Sequence, residues 1–239
     1  MKTILHTDFE SVGGFNPMKA VWSAAWIITD MKGKEISRKA YLITEALPFL
    51  AGDTFWSQKK NGVMIQQLGN YKTVSAAECW ADFQKDMDAC EFWVAFNSRF
   101  EAGCLAAQSI MFHLPEFDLK PELDLALYAF DVLPLKQYAA YALEHNLYTE
   151  SKKSFSSKCE HLLTWLVASG RMPETADHSH LALDDTISQV ALFVACLATR
   201  KKRPAFGKRL THFAHPMWKK WLKIQPSDDG NQYVETATA

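Results

Sequence analysis

A chain of 239 residues with 48% hydrophobic and 22% charged residues has the composition of a water-soluble globular protein, and its length suits one α/β domain with room for a single appendage. No stretch approaches the roughly 18 consecutive apolar residues that a membrane span needs. His6 and Asp8 interrupt the opening apolar run that a signal peptide would require, so the expectation is a cytoplasmic protein without a membrane partner, and the formal net charge of -1 names no partner by itself.

The first predicted element is a strand over Ile4 to Ser11, in which period-2 alternation puts Asp8 and Glu10 on one face. Two carboxylates so close repel unless a cation lies between them, a proton is held at an unusual pKa, or both reach water. Val12-Gly13-Gly14-Phe15-Asn16-Pro17 follows as turn chemistry. Ala20 to Thr29 and Ile36 to Ile43 are strand-like runs joined by a short polar segment containing Gly33, which predicts an antiparallel meander with the first strand. Thr44 to Thr73, interrupted by Pro48, Gly52, Gly62 and Gly69, reads as loop with a short helix.

Ser75-Ala76-Ala77-Glu78 is a capping box, and Cys79, Trp80, Phe83 and Met87 recur at helical steps behind it, predicting a helix to about Cys90. Phe92 to Phe96 is a continuous apolar run of the kind buried on both faces of a sheet, after which Asn97 caps a helix to about Phe112. Leu119 to Phe130 reads as a strand flowing into a helix. Ser157-Lys158-Cys159-Glu160 looks like a second capping box, opening a helix that ends at Gly170. A loop over Arg171 to Ser179 leads to His180, and Asp184 to about Arg200 forms a strongly apolar last helix.

Every charge between Arg200 and Lys223 is positive, and Phe206, Phe213, Trp218 and Trp221 are interleaved among them. Two readings are open: a solvated basic segment whose aromatics pack on the domain, or a nucleic-acid surface with basic heads on phosphates and aromatics near bases. Gln225 to Ala239 has too little apolar content to order itself. The predicted division is therefore a domain over 1–200, a basic aromatic extension over 201–224 and a disordered tail over 225–239. The five cysteines, Cys79, Cys90, Cys104, Cys159 and Cys196, contain no C-x-x-C pair and read as small core residues.

Three further groups keep company with Asp8 and Glu10. Glu101 lies in Asn97-Ser98-Arg99-Phe100-Glu101, where a buried strand turns into a helix at the carboxyl end of the sheet, and His180 and Asp185 are spaced H-x-x-x-x-D. Each alone has a bland reading as a helix-end acid or a surface histidine. In this order, the set resembles the DEDDh branch of the DEDD exonucleases. That family has Asp-x-Glu on its first strand, Asn-x-x-Phe-Asp after the fourth and His-x-x-x-x-Asp at the last helix, and the segments VAFNSRFE and HLALDD are similar to its second and third motifs. The chain departs from the pattern at Glu101, where most of the family has Asp; the extra methylene implies at least an altered metal preference.

The resemblance implies a ribonuclease H-like α/β fold, with a mixed five-stranded sheet in order 3-2-1-4-5 flanked by helices. It also implies two divalent cations, Mg²⁺ or Mn²⁺, held by Asp8, Glu10, Glu101 and Asp185, with His180 as general base. Asn97, Ser11 and Phe15 correspond to positions that grip the terminal nucleotides, Phe15 as a wedge or as core filling. The implied activity is 3'-5' exonuclease hydrolysis releasing nucleoside 5'-monophosphates, with single-stranded DNA favoured over RNA. The alternatives are a ribonuclease H-like protein that binds nucleic acid or a protein partner but hydrolyses poorly because of Glu101, and an endonuclease or strand-transfer enzyme on the same fold.

Overall fold

The computed structural model describes residues 2–12, 20–51, 69, 71–149, 151, 153–173, 181–207, 215–226 and 232–233. Strands β1 (Thr3–Val12), β2 (Ala20–Asp30) and β3 (Glu35–Ile43) form the predicted antiparallel meander. The β2–β3 turn is closed by Asp30, whose Oδ1 accepts from the backbone N–H of Lys32 and Lys34 at 2.8 and 2.9 Å. Gly33 in this turn has φ +82°, and a Cβ there would lie 2.3 Å from Val194 Cγ2, so both the turn and the close approach of the last long helix require glycine.

Strands β4 (Lys72–Val74), β5 (Phe92–Ala95) and β6 (Glu122–Asp124) complete a six-stranded sheet in the order β4-β3-β2-β1-β5-β6. β5 pairs parallel with β1, β6 with β5, and β4 with β3. The expected 3-2-1-4-5 arrangement survives as β3-β2-β1-β5-β6, and β4 is the addition that makes six rather than five strands. Lys72 and Thr73 are exposed, so β4 carries no hydrophobic run and is held by backbone pairing to Tyr41, Leu42 and Ile43.

Among the described residues the helices are α1 (Leu47–Ala51), α2 (Ala76–Asp88), α3 (Ser98–Met111), α4 (Leu125–Val132), α5 (Leu135–Glu144), α6 (Cys159–Ala168), α7 (Ala182–Ala198) and α8 (Pro216–Trp221). Ser75 caps α2 as predicted, its Oγ accepting from Glu78 N–H at 3.1 Å. The second box does not form: the residue capping α6 is Lys158, which makes no side-chain capping bond, so Ser157 lies one position too early.

Side-chain alternation on β1 divides the core. Leu5 and Phe9 join Trp26, Trp80, Phe83, Met87 and Leu105 in one layer, where Phe9–Trp80 and Trp26–Phe83 meet edge to face at 5.4 Å. Ile4 and Val94 belong to a second layer with helices α4 to α7, through residues such as Phe130, Tyr138, Leu162 and Phe193. All five cysteines are buried, as small core residues would be.

The basic segment is tied to this second layer. Phe206 stacks on Phe92 with ring centroids 3.9 Å apart, Trp218, Leu222 and Ile224 are buried, and Phe155 N–H donates to Leu222 O at 2.8 Å. Phe206, half-buried, and Trp218, buried, therefore pack on the domain, in line with the first of the two readings; Phe213 lies outside the described residues. Lys219 and Lys220 are exposed, the latter with its ammonium 4.9 Å from the Trp221 ring. Further on, Gln225–Pro226 (β7) pairs with Gln232–Tyr233 (β8), a ladder made by backbone groups in a stretch too polar to predict one. Among the described residues no helix is long and apolar enough to cross a membrane.

Candidate active site

Asp8 and Glu10 leave the same face of β1 near its carboxyl end, as the alternation requires. Their cross-strand partners on β2 are Ala25 and Ser23, two of the smallest side chains available, which leaves space above the acids. Just beyond, the β1–β2 register shifts between Glu10 and Ser11, with Trp22 as the extra residue. Such a bulge increases the local twist and turns the end of the strand away from the sheet. Buried Gln108 of α3 satisfies a backbone group at this irregularity, its Oε1 accepting from Val21 N–H at 3.3 Å.

The space is filled by the start of α7. Ala182 packs with Ala25 and Ile27, so small side chains on both elements let the helix lie close to the sheet. Tyr71 fixes its first turn, the phenol oxygen accepting from Leu183 N–H at 2.8 Å. Burial, with added pressure from Asp184 and Glu10, makes that phenol hold its proton more tightly than usual. Asp185 sits in the first turn of α7, and one carboxylate oxygen each from Asp8, Glu10 and Asp185 lies within 4.8 Å of the others.

Glu101 arrives from a different direction. Buried β5 ends at Ala95, α3 begins at Ser98, and Glu101 lies in the first turn of α3, only 4% exposed. A helix N-terminus favours a negative charge, and that charge is felt at Asp8. Burial first, then the carboxylates of Asp185, Glu10 and Glu101, hold the Asp8 carboxyl well above the usual carboxylate range, while a hydrogen bond from Gln189 pulls the other way. All four predicted acids are therefore brought into electrical contact, three of them at ligand spacing.

The remaining predictions fare unevenly. Asn97 occupies the position before α3, but its side chain makes no capping bond and is exposed; its backbone carbonyl instead accepts from Phe100 N–H at 2.7 Å. Ser11 is half-buried at the bulge, one residue past Glu10. His180 and Phe15 lie outside the described residues. Two residues escaped prediction. Tyr71 sits in a stretch read as loop and offers no local signal, whereas Gln189, which donates to Asp8 Oδ1 at 2.8 Å, could have been found as the residue one helical turn beyond Asp185 on the same face.

The donor set suits a hard cation. Three carboxylate oxygens at this spacing match what Mg²⁺ or Mn²⁺ requires and offer no soft ligand, and the mutual repulsion recorded at Asp8 is what a divalent ion would relieve.

The sequence matches no protein-family model and none of the curated proteins. Solved structures do resemble it. Exonuclease I superimposes with a TM-score of 0.50 at 17% identity, over 83% of this chain and 41% of that one. E. coli exonuclease I in complex with a dA16 oligonucleotide gives 0.51 at 16% identity, over 83% and 41%. A full-length 3'-exonuclease gives 0.55 at 10% identity, over 97% of this chain and 94% of that one. The chain thus spans 41% of the length of exonuclease I and almost all of the 3'-exonuclease. At these identities the likeness is one of fold: the chain has the mixed α/β, ribonuclease H-like architecture seen in these exonucleases.

Proposed function

We propose that the protein is a metal-dependent 3'-5' exonuclease that shortens nucleic acid from its 3' end, single-stranded DNA in preference to RNA, releasing nucleoside 5'-monophosphates. The observation that carries this reading is the convergence of Asp8, Glu10 and Asp185 within 4.8 Å, with Glu101 pressing on Asp8, at the carboxyl edge of an exonuclease-like sheet.

Asp8 would contact both ions, Glu10 and Asp185 would complete the first, and Glu101 would order the second. Two bound divalent cations would supply a nucleophilic water at neutral pH and charge neutralisation at the departing 3'-oxygen. His180, five residues before Asp185, is the proposed base; an imidazole with a pKa of about 6.5 suits removal of a proton from water. Asn97, exposed and with its amide uncommitted to capping, Ser11, one residue past Glu10, and Phe15 from the turn after β1 are proposed to grip the terminal nucleotide.

The test is incubation of 3'-labelled and 5'-labelled single-stranded oligonucleotides with Mg²⁺ or Mn²⁺. The reading predicts a 5'-labelled ladder shortening from the 3' end, early loss of the 3' label as mononucleotide, and neither in Asp8→Ala. Retention on a gel without shortening would replace the enzyme by a binding protein, and cutting of a circular substrate would replace it by an endonuclease.

A further inference from the structure

Gln189 is 1% exposed, so its amide has to find partners inside the protein. Its Oε1 accepts from the backbone N–H of Phe96 at 3.0 Å, and its Nε2 donates to Asp8 Oδ1 at 2.8 Å. The orientation of the amide follows from chemistry. A backbone N–H can only donate, so the atom facing Phe96 must be the oxygen, and the nitrogen must then face Asp8. That second contact needs an acceptor, which an ionised carboxylate provides best.

The position of this amide gives it reach. Phe96 follows the end of β5 and stands just before Asn97 and the helix that carries Glu101, while its own carbonyl accepts from Ala126 N–H at 3.3 Å. Asp185 lies one turn earlier than Gln189 on α7. One side chain therefore joins the three elements that deliver the acids: β1 with Asp8 and Glu10, the β5–α3 junction with Glu101, and α7 with Asp185. With Oδ1 held by the amide, the Asp8 carboxylate is restricted in rotation beside Glu10 and Asp185.

We infer that Gln189 is a positioning residue, which holds the Asp8 carboxylate in the orientation needed to share divalent cations and locks the β5–α3 junction to the same point. The inference rests on the metal-site reading above. Neither removal of the amide nor its shortening can preserve both contacts: Gln189→Met has no donor or oxygen acceptor, and Gln189→Asn is one methylene too short to span Asp8 and Phe96.

The experiment measures Mn²⁺ binding by the loss of the free-ion electron paramagnetic resonance signal, alongside oligonucleotide hydrolysis as a function of Mn²⁺. It uses the full-length wild type, Gln189→Asn and Gln189→Met, each checked by thermal melting. Loss of a partner that orients a metal ligand weakens metal binding by about 10–100-fold. The expected result is a weakening of about ten-fold or more in both variants, a matching rise in the Mn²⁺ needed for half-maximal rate, recovery of rate at high Mn²⁺, and an unchanged KM for oligonucleotide. A purely structural role would lower the folded fraction without moving the Mn²⁺ midpoint. If Gln189→Met fails to fold, Gln189→Asn carries the comparison. Wild-type binding with an unchanged midpoint in the folded variant overturns this inference alone; a wild type that binds no Mn²⁺ overturns the metal-site reading and this inference with it.

Discussion

On one face of β1, Leu5 and Phe9 are sealed against Trp80 and Phe83, while on the other Asp8 and Glu10 meet Asp185 with ligand oxygens within 4.8 Å. The first face gains from every contact it makes, through apolar area removed from water and edge-to-face rings. The second works against its own stability, since burial and three neighbouring acids all oppose ionisation of Asp8. A chain that places both on one strand uses the apolar layer to hold in place a cluster that would otherwise spring apart. Removing side chains from the two faces should therefore fail in different ways.

Asp8→Asn gives the largest effect on activity, a loss of about 10³-fold or more in kcat, equivalent to about 4 kcal/mol of barrier, with folding intact. Single-turnover hydrolysis of a 5'-labelled oligonucleotide measures it. Phe83→Ala on the opposite face costs about 3–5 kcal/mol of unfolding free energy by urea titration, because it empties a fully buried site. Below its unfolding midpoint this variant should keep the wild-type turnover per folded molecule. If instead Phe83→Ala lost activity in its folded fraction, the division between the faces would be wrong.

His6 sharpens the comparison from the acid face itself. Thr29 Oγ1 donates to Asp30 O, so it accepts from His6 Nε2–H at 3.1 Å, and the ring is a neutral tautomer with Nδ1 buried. Burial lowers its pKa to about 3. The unfolded chain therefore binds more protons than the folded one between about pH 6.5 and pH 3, and stability falls as pH drops through that window, by about 1.4 kcal/mol per unit. Asp8 has the opposite sign: its raised pKa favours the folded state at low pH, and that contribution is lost as pH rises through the folded value. Chemical denaturation of wild type and His6→Leu between pH 7 and pH 4 should show the acid-side loss in the wild type and its reduction in the variant.

The smallest change expected is at Glu101. Shortening it in Glu101→Asp should hold activity within about ten-fold of wild type or raise it, whereas Glu101→Ala should lose more, since a carboxylate at this helix start orders the cluster. Loss of activity in Glu101→Asp together with a harmless Glu101→Ala would remove Glu101 from the site.

Much of this arrangement can be read from the chain alone, for reasons specific to each element. Period-2 alternation is enough to put Asp8 and Glu10 together, and a short continuous apolar run followed by Asn97 is enough to place Glu101 at a sheet edge. The meander and the Ser75 cap follow from local chemistry in the same way. β4 could not be found, because a strand of three residues with two exposed is defined by the neighbour it pairs with. The same holds for Tyr71 and Gln189, whose roles arise from hydrogen bonds to residues 112 and 181 positions away. The aromatics of the basic segment were equally undecided by pattern, since packing on Phe92 or stacking on a base calls for the same residue types.

The acid face of β1 gathers hard-cation donors whose mutual repulsion a divalent ion would relieve. The most direct test of that relief is the melting temperature of wild type and Asp8→Asn at neutral pH, in EDTA and in millimolar Mg²⁺ or Mn²⁺. Asp8→Asn should melt higher than wild type in EDTA, because one buried negative charge is gone, and metal should raise only the wild type. A metal response equal in the two proteins, or absent from both, would contradict it.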